Sequence, residues 1–273
     1  MQSTHQPVTY QRYTPSGFEP VSAEVIAEVP LTLTINGQVW LEFLCTPTYL
    51  EALAVGFLFN EGLISSAADL ASVHLCAEGD NVDVWTRHPL AKPPVWRRTS
   101  GCGGGSTSHL SPAPAASPKP ENSGYAQTAG VPAPDFSIAA SALLELMRQL
   151  MASQELYHRT RGVHSSAVSD GAALFLQVED IGRHNTLDKI AGRLLLEAPP
   201  LRPRILLTTG RVSSEMLQKA QRIGVSTVVS RTSPTSLSVR MAEEAGITLV
   251  GYARKDQFIV YAHPYRILTE LET

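Results

Sequence analysis

Apolar and polar positions alternate from residue 25 to residue 45, the period of a half-buried strand. Leu31-Thr32-Leu33-Thr34-Ile35 runs into Asn36-Gly37, a strong tight-turn pair, and Val39-Trp40-Leu41-Glu42-Phe43-Leu44 follows, so this stretch predicts a hairpin. Residues 1–22 before it are polar and predict a loosely held arm. Thr46-Pro47 reads as a helix start, with Thr46 as N-cap and Pro47 at the first helical position, for a helix over 48–60 that stops near Gly62. Residues 73–76 and 82–85 predict two more short strands.

The pattern then breaks. Between 103 and 135, Pro112, Pro114, Pro118, Pro120, Pro132 and Pro134 are interleaved with Ser, Ala and Gly. Such a stretch buries too little apolar surface to offset its ordering entropy, so it predicts a mobile loop between two domains. Asp135-Phe136-Ser137 reads as the cap of a helix over 138–154, with Leu143, Leu144, Met147 and Leu150 on its apolar face. From Val163 strands and helices alternate. Residues 164–168 and 173–178 predict a hairpin around Asp170-Gly171. Helices are predicted at 185–197, 214–223 and 235–245, and strands at 204–208, 226–230, 247–251 and 258–261. That order predicts a mixed, largely parallel sheet covered on both faces. The fold class is therefore α/β, α+β overall. Its predicted parts are an arm at 1–22, a β-rich domain at 23–102, the loop at 103–135 and an α/β domain at 136–273.

Composition narrows the function classes. A chain 43% hydrophobic and 17% charged, with net charge −3, is an ordinary globular protein and not a general nucleic-acid binder. The longest apolar stretch, 50–64, is interrupted by Glu51, Asn60 and Glu61 and is too short and too charged to span a bilayer. Met1-Gln2-Ser3-Thr4-His5-Gln6-Pro7 has no signal-peptide shape, so the cytoplasm is the expected location. The three cysteines, Cys45, Cys76 and Cys102, are too few and too scattered for a disulfide framework or a zinc knuckle, and no resident metal is expected. Cys45 and Cys76 lie in apolar strand contexts and are expected to be buried.

Cys102 is different. It sits in Arg97-Arg98-Thr99-Ser100-Gly101-Cys102-Gly103-Gly104-Gly105-Ser106, where glycines leave the thiol uncovered and two arginines favour the thiolate. The thiolate is the nucleophile and the form that carries an extra sulfur as a persulfide. The plain alternative is a glycine loop that contains a cysteine.

Four further clusters carry polar chemistry. Thr209-Gly210-Arg211-Val212-Ser213-Ser214 and Arg231-Thr232-Ser233-Pro234-Thr235 each follow an apolar strand, open a helix and combine an arginine with hydroxyls. Helix N-termini at the carboxyl ends of strands suit phosphate, and two such turns favour a nucleotide-like ligand. Simple helix capping by Ser and Thr is the alternative. Glu179-Asp180-Ile181-Gly182-Arg183-His184-Asn185, with Asp188-Lys189 beyond it, is dense enough for His184 and Asn185 to bind a heterocycle or relay a proton. A salt-bridged helix entry would use the same residues. Tyr252-Ala253-Arg254-Lys255-Asp256-Gln257 offers aromatic, cationic and amide groups that could hold a planar heterocycle with phosphates; otherwise it is a polar hairpin.

Six stretches, in order and nearly spanning the chain outside the proline-rich loop, resemble the formate dehydrogenase accessory sulfurtransferase family, FdhD/NarQ. They are Glu28-Val29-Pro30-Leu31-Thr32-Leu33-Thr34-Ile35-Asn36-Gly37, Leu53-Ala54-Val55-Gly56-Phe57-Leu58-Phe59-Asn60-Glu61-Gly62, Ser100-Gly101-Cys102-Gly103, the 179–185 turn, Thr209-Gly210-Arg211-Val212-Ser213-Ser214-Glu215-Met216, and Ser233-Pro234-Thr235. The resemblance implies a sulfur carrier that takes sulfur from a cysteine desulfurase and passes it to the bis(molybdopterin guanine dinucleotide) cofactor of molybdenum, as cargo, before insertion into the catalytic subunit of formate dehydrogenase. It implies a homodimer and a second half similar to the three-layer cytidine-deaminase fold, here without that fold's zinc signature. Cys102 matches the family's persulfide-bearing position, and Tyr252, Ala253, Arg254, Lys255, Asp256 and Gln257 match its cofactor-binding segment. Arg183, His184 and Asn185 would position the cofactor, with Arg211, Ser213 and Ser214 on one set of phosphates and Ser233 and Thr235 on another. Many members carry a second cysteine where this chain has Gly105, so no sulfur passes between two thiols here. The competing reading is a non-catalytic escort that binds the cofactor and docks on the dehydrogenase.

Overall fold

A computed structural model describes residues 2–93, 96–98, 106–108 and 136–269. In chain order the elements are β1 (His5–Thr14), β2 (Gly17–Ile26), β3 (Val29–Ile35), β4 (Gln38–Cys45), α1 (Leu50–Asn60), β5 (Leu70–Leu75), β6 (Asn81–Thr86), β7 (Trp96–Arg98), β8 (Ser106–Ser108), β9 (Ile138–Ala139), α2 (Ala140–Ala152) and α3 (Glu155–Thr160). They continue with β10 (His164–Ser169), β11 (Leu174–Asp180), α4 (Arg183–Glu197), β12 (Ile205–Thr208), α5 (Ser214–Ile223), β13 (Thr227–Ser230), α6 (Ser236–Ala245), β14 (Thr248–Arg254), β15 (Gln257–Ala262) and β16 (Ile267–Leu268).

The larger sheet has the order β11-β10-β12-β13-β14-β15. Only β12–β13 and β13–β14 are parallel; β10–β11, β10–β12 and β14–β15 are antiparallel. The sheet is therefore mixed and mostly antiparallel, not largely parallel, because hairpins close both of its ends. It is covered on both faces, as the alternation predicts. Ala167, Ile205, Leu207, Val229 and Val250 meet Leu143, Leu146 and Leu150 of α2 on one side. Val168, Leu206, Val228 and Leu249 belong to the core shared with α4, α5 and α6 on the other.

The smaller sheet has the order β4-β3-β6-β5, and its core is continuous with that second face. Helix α1 joins the two. Ten of its eleven residues are buried, as befits a helix that is apolar all round. It crosses α4 at two glycines: a Cβ on Gly56 would fall 1.7 Å from the Asp188 carbonyl oxygen, and one on Gly192 would fall 1.9 Å from that of Ala52. The hairpin predicted from Asn36-Gly37 is β3–β4, with φ of 50° and 77° at the two turn residues.

Several boundaries differ from prediction. Residues 5–26 are not a loose arm but a ten-rung antiparallel ribbon, β1–β2, turned at Pro15-Ser16; Val25 belongs to it and not to the following hairpin. Helix α1 starts at Leu50, behind Tyr49 at φ 50°, and not at Thr48. Ile138 and Ala139 pair with β16 before α2 begins, with no side-chain cap on that helix. Cys102 and most of 103–135 lie outside the described residues. Ser106–Ser108 are the exception, and pair antiparallel with β7.

Candidate functional site

The strand directions bring four loops to one edge of the large sheet. The carboxyl ends of β11, β12, β13 and β14 all emerge there, and β10 and β15 begin there. This is where open α/β sheets bind ligands. One arginine comes from each loop or strand end: Arg183, Arg211, Arg231 and Arg254.

The loops are laced to one another. Val212 N–H donates to the Ser233 carbonyl at 3.3 Å, and Thr235 N–H donates to the Val212 carbonyl at 3.0 Å. Ser238 Oγ donates to the same Val212 carbonyl at 2.8 Å, and Ser230 Oγ to the Gly210 carbonyl at 2.7 Å. The third strand end is tied on by Tyr252 N–H to the Thr232 carbonyl (3.1 Å) and Arg254 Nε to the Arg231 carbonyl (3.0 Å). Gly210 packs on Arg183: a Cβ there would stand 3.0 Å from Arg183 Cβ and 3.5 Å from His164 Nδ1.

Within this frame the predicted residues divide. Ser213 and Thr235 are helix N-caps, accepting from Met216 N–H and Ser238 N–H. Their oxygens are committed to orphan helix donors, so the capping alternative describes both. Arg211 is exposed and Ser214 and Ser233 are half-buried, all three on the lip of the paired turns. Tyr252 is exposed with φ 52°, and Arg254, Lys255, Asp256 and Gln257 stand exposed around the β14–β15 turn. Ala253 is the exception in that segment, since its side chain is in the core beneath α2. Arg231, which the sequence reading assigned no contact, stands on the same edge, its Nη1 3.3 Å from Met151 Sδ. Its position one residue past the β13 strand was the available signal.

The 179–189 cluster turns inward. Asp180 has no exposed side-chain surface and accepts from Thr46 N–H (3.1 Å), Gly182 N–H (2.7 Å), Asn185 Nδ2 (2.8 Å) and the Lys189 ammonium. Asn185 Nδ2 also donates to the Leu44 carbonyl at 2.9 Å, and Lys189 Nζ to the Thr46 carbonyl at 2.9 Å. Thr46 is thus the tie between the two sheets, with its hydroxyl accepting from Ile181 N–H at 3.2 Å; that explains why it caps no helix. Glu179 caps α3 through Leu156 and Tyr157 N–H. A second buried pair, Asp188 with Lys219, is joined by Asn60 Nδ2 at 2.8 Å.

His184 is buried, its Nε2 3.2 Å from Glu215 Oε2. Burial pushes its pKa down, helped by the Lys219 and Arg183 charges and opposed by Glu215. His164 is likewise lowered by burial and by Arg183, with Asp180 opposing. Glu215 is held low chiefly by the contact with His184. The edge therefore keeps its permanent positive charge on arginine. Cys45 is buried as expected, and burial pushes its thiol up to about 12, so it stays protonated. Cys76 is not buried in a strand. It follows β5, half-exposed, and its Sγ donates to Asp80 at 3.0 Å.

Comparison with known proteins shows what the whole chain is similar to. The model of the FdhD/NarQ family matches residues 26–268. Proteins named sulfur carrier protein FdhD are similar along nearly their whole length. That of Bacillus subtilis (strain 168) is 35% identical over 260 residues, 94% of this chain and 95% of the relative. That of Staphylococcus aureus (strain bovine RF122 / ET3-1) is 33% identical over 272 residues, 97% of each. A crystal structure from Desulfotalea psychrophila, described as a candidate formate dehydrogenase accessory protein, superposes with a TM-score of 0.76 at 26% identity, covering 97% of this chain and 100% of that one. The chain belongs to the FdhD/NarQ family.

Proposed function

We propose that this protein is a sulfur carrier in formate dehydrogenase maturation, with Cys102 as the carrying residue. The relatives' shared name supports the role. The observation that carries it here is the placement of Arg211, Arg231 and Arg254 on one sheet edge, with Arg183 buried behind them, a surface suited to the phosphates of a dinucleotide. On this reading the cargo is bis(molybdopterin guanine dinucleotide) molybdenum. Arg211, Ser214 and Ser233 meet its phosphates, while Tyr252 and Arg254 through Gln257 flank a heterocycle. The second half is read as cytidine-deaminase-like in its layering, and the protein as a homodimer.

The chemistry begins with attack of the Cys102 thiolate on the outer sulfur of a desulfurase persulfide. A Cys102 S–S bond forms, and the desulfurase thiolate leaves. The outer sulfur then passes to the metal of the cargo as a sulfido ligand. Two electrons from the metal reduce that sulfur, and Cys102 is released as thiolate. With glycine at 105, Cys102 acts without a resolving thiol.

Incubation with a cysteine desulfurase and cysteine, followed by peptide mass spectrometry, should show one added sulfur on the peptide containing Cys102 and none on Cys45. Cys102→Ala should abolish formate dehydrogenase activation. Retained activation by that variant would instead establish the non-catalytic escort.

A further inference from the structure

The histidine that stands out in the sequence is not the one this edge offers. His184 is 5% exposed, and its Nε2 lies against Glu215. His164, the first residue of β10, is half-buried, and neither of its ring nitrogens makes a hydrogen bond among the described residues.

Backbone fixes its place. Thr209 N–H donates to the Ser165 carbonyl at 2.9 Å, and Ser165 N–H donates to Thr209 Oγ1 at 3.0 Å. This reciprocal pair lays the start of β10 along the turn that leads into α5. Gly210 is the next residue, and a single point beside it brings two side chains together. A Cβ there would stand 3.5 Å from His164 Nδ1, 3.0 Å from Arg183 Cβ and 3.3 Å from Arg183 Cδ. The φ of Gly210 is not positive, so space and not backbone conformation calls for glycine. The missing methyl group leaves the imidazole, the stem of Arg183 and the turn in one cluster, one residue before the exposed Arg211.

Every neighbouring element bears on the charge of this ring. From α4, Arg183 disfavours the imidazolium; from β11, Asp180 favours it but is already committed to Lys189. Glu179, also on β11, accepts from Leu156 N–H, Tyr157 N–H and Ser165 Oγ. From α5, Glu215 is engaged by His184. Before β10, Arg161 lies over the Tyr157 ring, 5.2 Å from its centroid. Burial first and Arg183 second hold His164 below the ordinary 6.5, so at neutral pH the ring is uncharged. An anion on this edge reverses the balance. It offsets the charge of Arg183 and gives the ring an acceptor, and both favour the charged form. The imidazolium then donates a charge-assisted hydrogen bond to phosphate.

We propose that His164 is a further phosphate-binding residue of the sheet edge, one that takes up a proton as the dinucleotide cargo binds. This rests on the phosphate-binding edge in the proposed function and adds to it a residue and a pH dependence. Isothermal titration calorimetry of the full chain with diguanosine pyrophosphate tests it, since the diester phosphates of that probe do not titrate between pH 6 and pH 8. At pH 7 the heat should differ between buffers of different ionisation enthalpy, in the sense of proton uptake. Affinity should rise as pH falls from 8 to 6, by at most about tenfold per pH unit for one proton. His164→Gln keeps a hydrogen-bond donor but carries no charge. It should lose the uptake and bind about tenfold more weakly at pH 6, while approaching wild type at pH 8. An equal loss at both pH values marks a merely structural role and overturns the assignment. If His164→Gln lowers the melting temperature, the ring resonances of His164 in the wild type, followed with and without the probe, report the same proton. No binding at about 1 mM probe overturns the phosphate edge and the histidine together. Binding without proton uptake, or uptake that survives in His164→Gln, overturns the histidine alone.

Discussion

Lys189 has no exposed side-chain surface, and three oxygens surround its ammonium: the Asp180 carboxylate, the Thr46 carbonyl and the Thr48 hydroxyl. A buried charge pair of this kind holds a fold mainly because either member alone is so costly to leave unpaired. Lys189→Met should therefore destabilise the protein by about 3–5 kcal/mol in urea unfolding, and Asp180→Asn in the same background, which removes the uncompensated charge and keeps an acceptor oxygen for Gly182 N–H, should recover part of that. A loss under about 1 kcal/mol would mean that the carboxylate is easily neutralised or hydrated. In the sequence these residues look like a reactive turn. Their partners Leu44, Thr46 and Thr48 stand more than 130 positions away, so no local pattern distinguishes a buried tie from a ligand site. Ser213 and Thr235 show the reverse case. Their capping role is legible, because the cap partner lies three residues on.

Among the described elements, α1 and α4 approach one another closely. Both helices give a glycine to the crossing, and backbone oxygen occupies the space a methyl group would need. Gly56→Ala should cost about 1–3 kcal/mol through overpacking, against the roughly 1 kcal/mol it gains in helix propensity; chemical denaturation measures the sum. A stabilised Gly56→Ala would show that the two helices can separate freely. Elements with strong periodicity were legible: α5 at 214–223 agrees to the residue, and the β10–β11 hairpin follows from Asp170-Gly171. The ribbon β1–β2 was missed because both of its faces mix polar and apolar side chains and most of them are exposed. The burial contrast that marks a strand is weak there, and Pro15-Ser16-Gly17 was the remaining signal.

For the whole molecule, acid should act through the site's histidines first. His164 and His184 are held below the ordinary 6.5 by burial. The unfolded chain thus binds their protons more readily, and stability is lost as pH falls below about 6.5. Glu215, lowered from 4.5, adds a loss of the same sign further down, as pH falls below the unfolded value toward the folded one. The melting temperature should drop between pH 7 and pH 5, and His184→Gln should flatten that slope relative to its own value at pH 7. A slope identical to wild type would place the proton uptake elsewhere.

Local order along the chain determined most of the helices, strands and turns from residue 29 onward, since the solvation of alternating or 3.6-spaced side chains needs only near neighbours. It also determined that hydroxyls and arginines gather where strands end and helices begin. Sheet order, the antiparallel ends of the large sheet and the placement of Arg211, Arg231 and Arg254 at one edge were decided by tertiary structure. So was the turning inward of Asp180, Asn185 and Lys189. Each of these depends on which distant backbone groups and apolar faces satisfy one another, a condition met only when the whole chain packs.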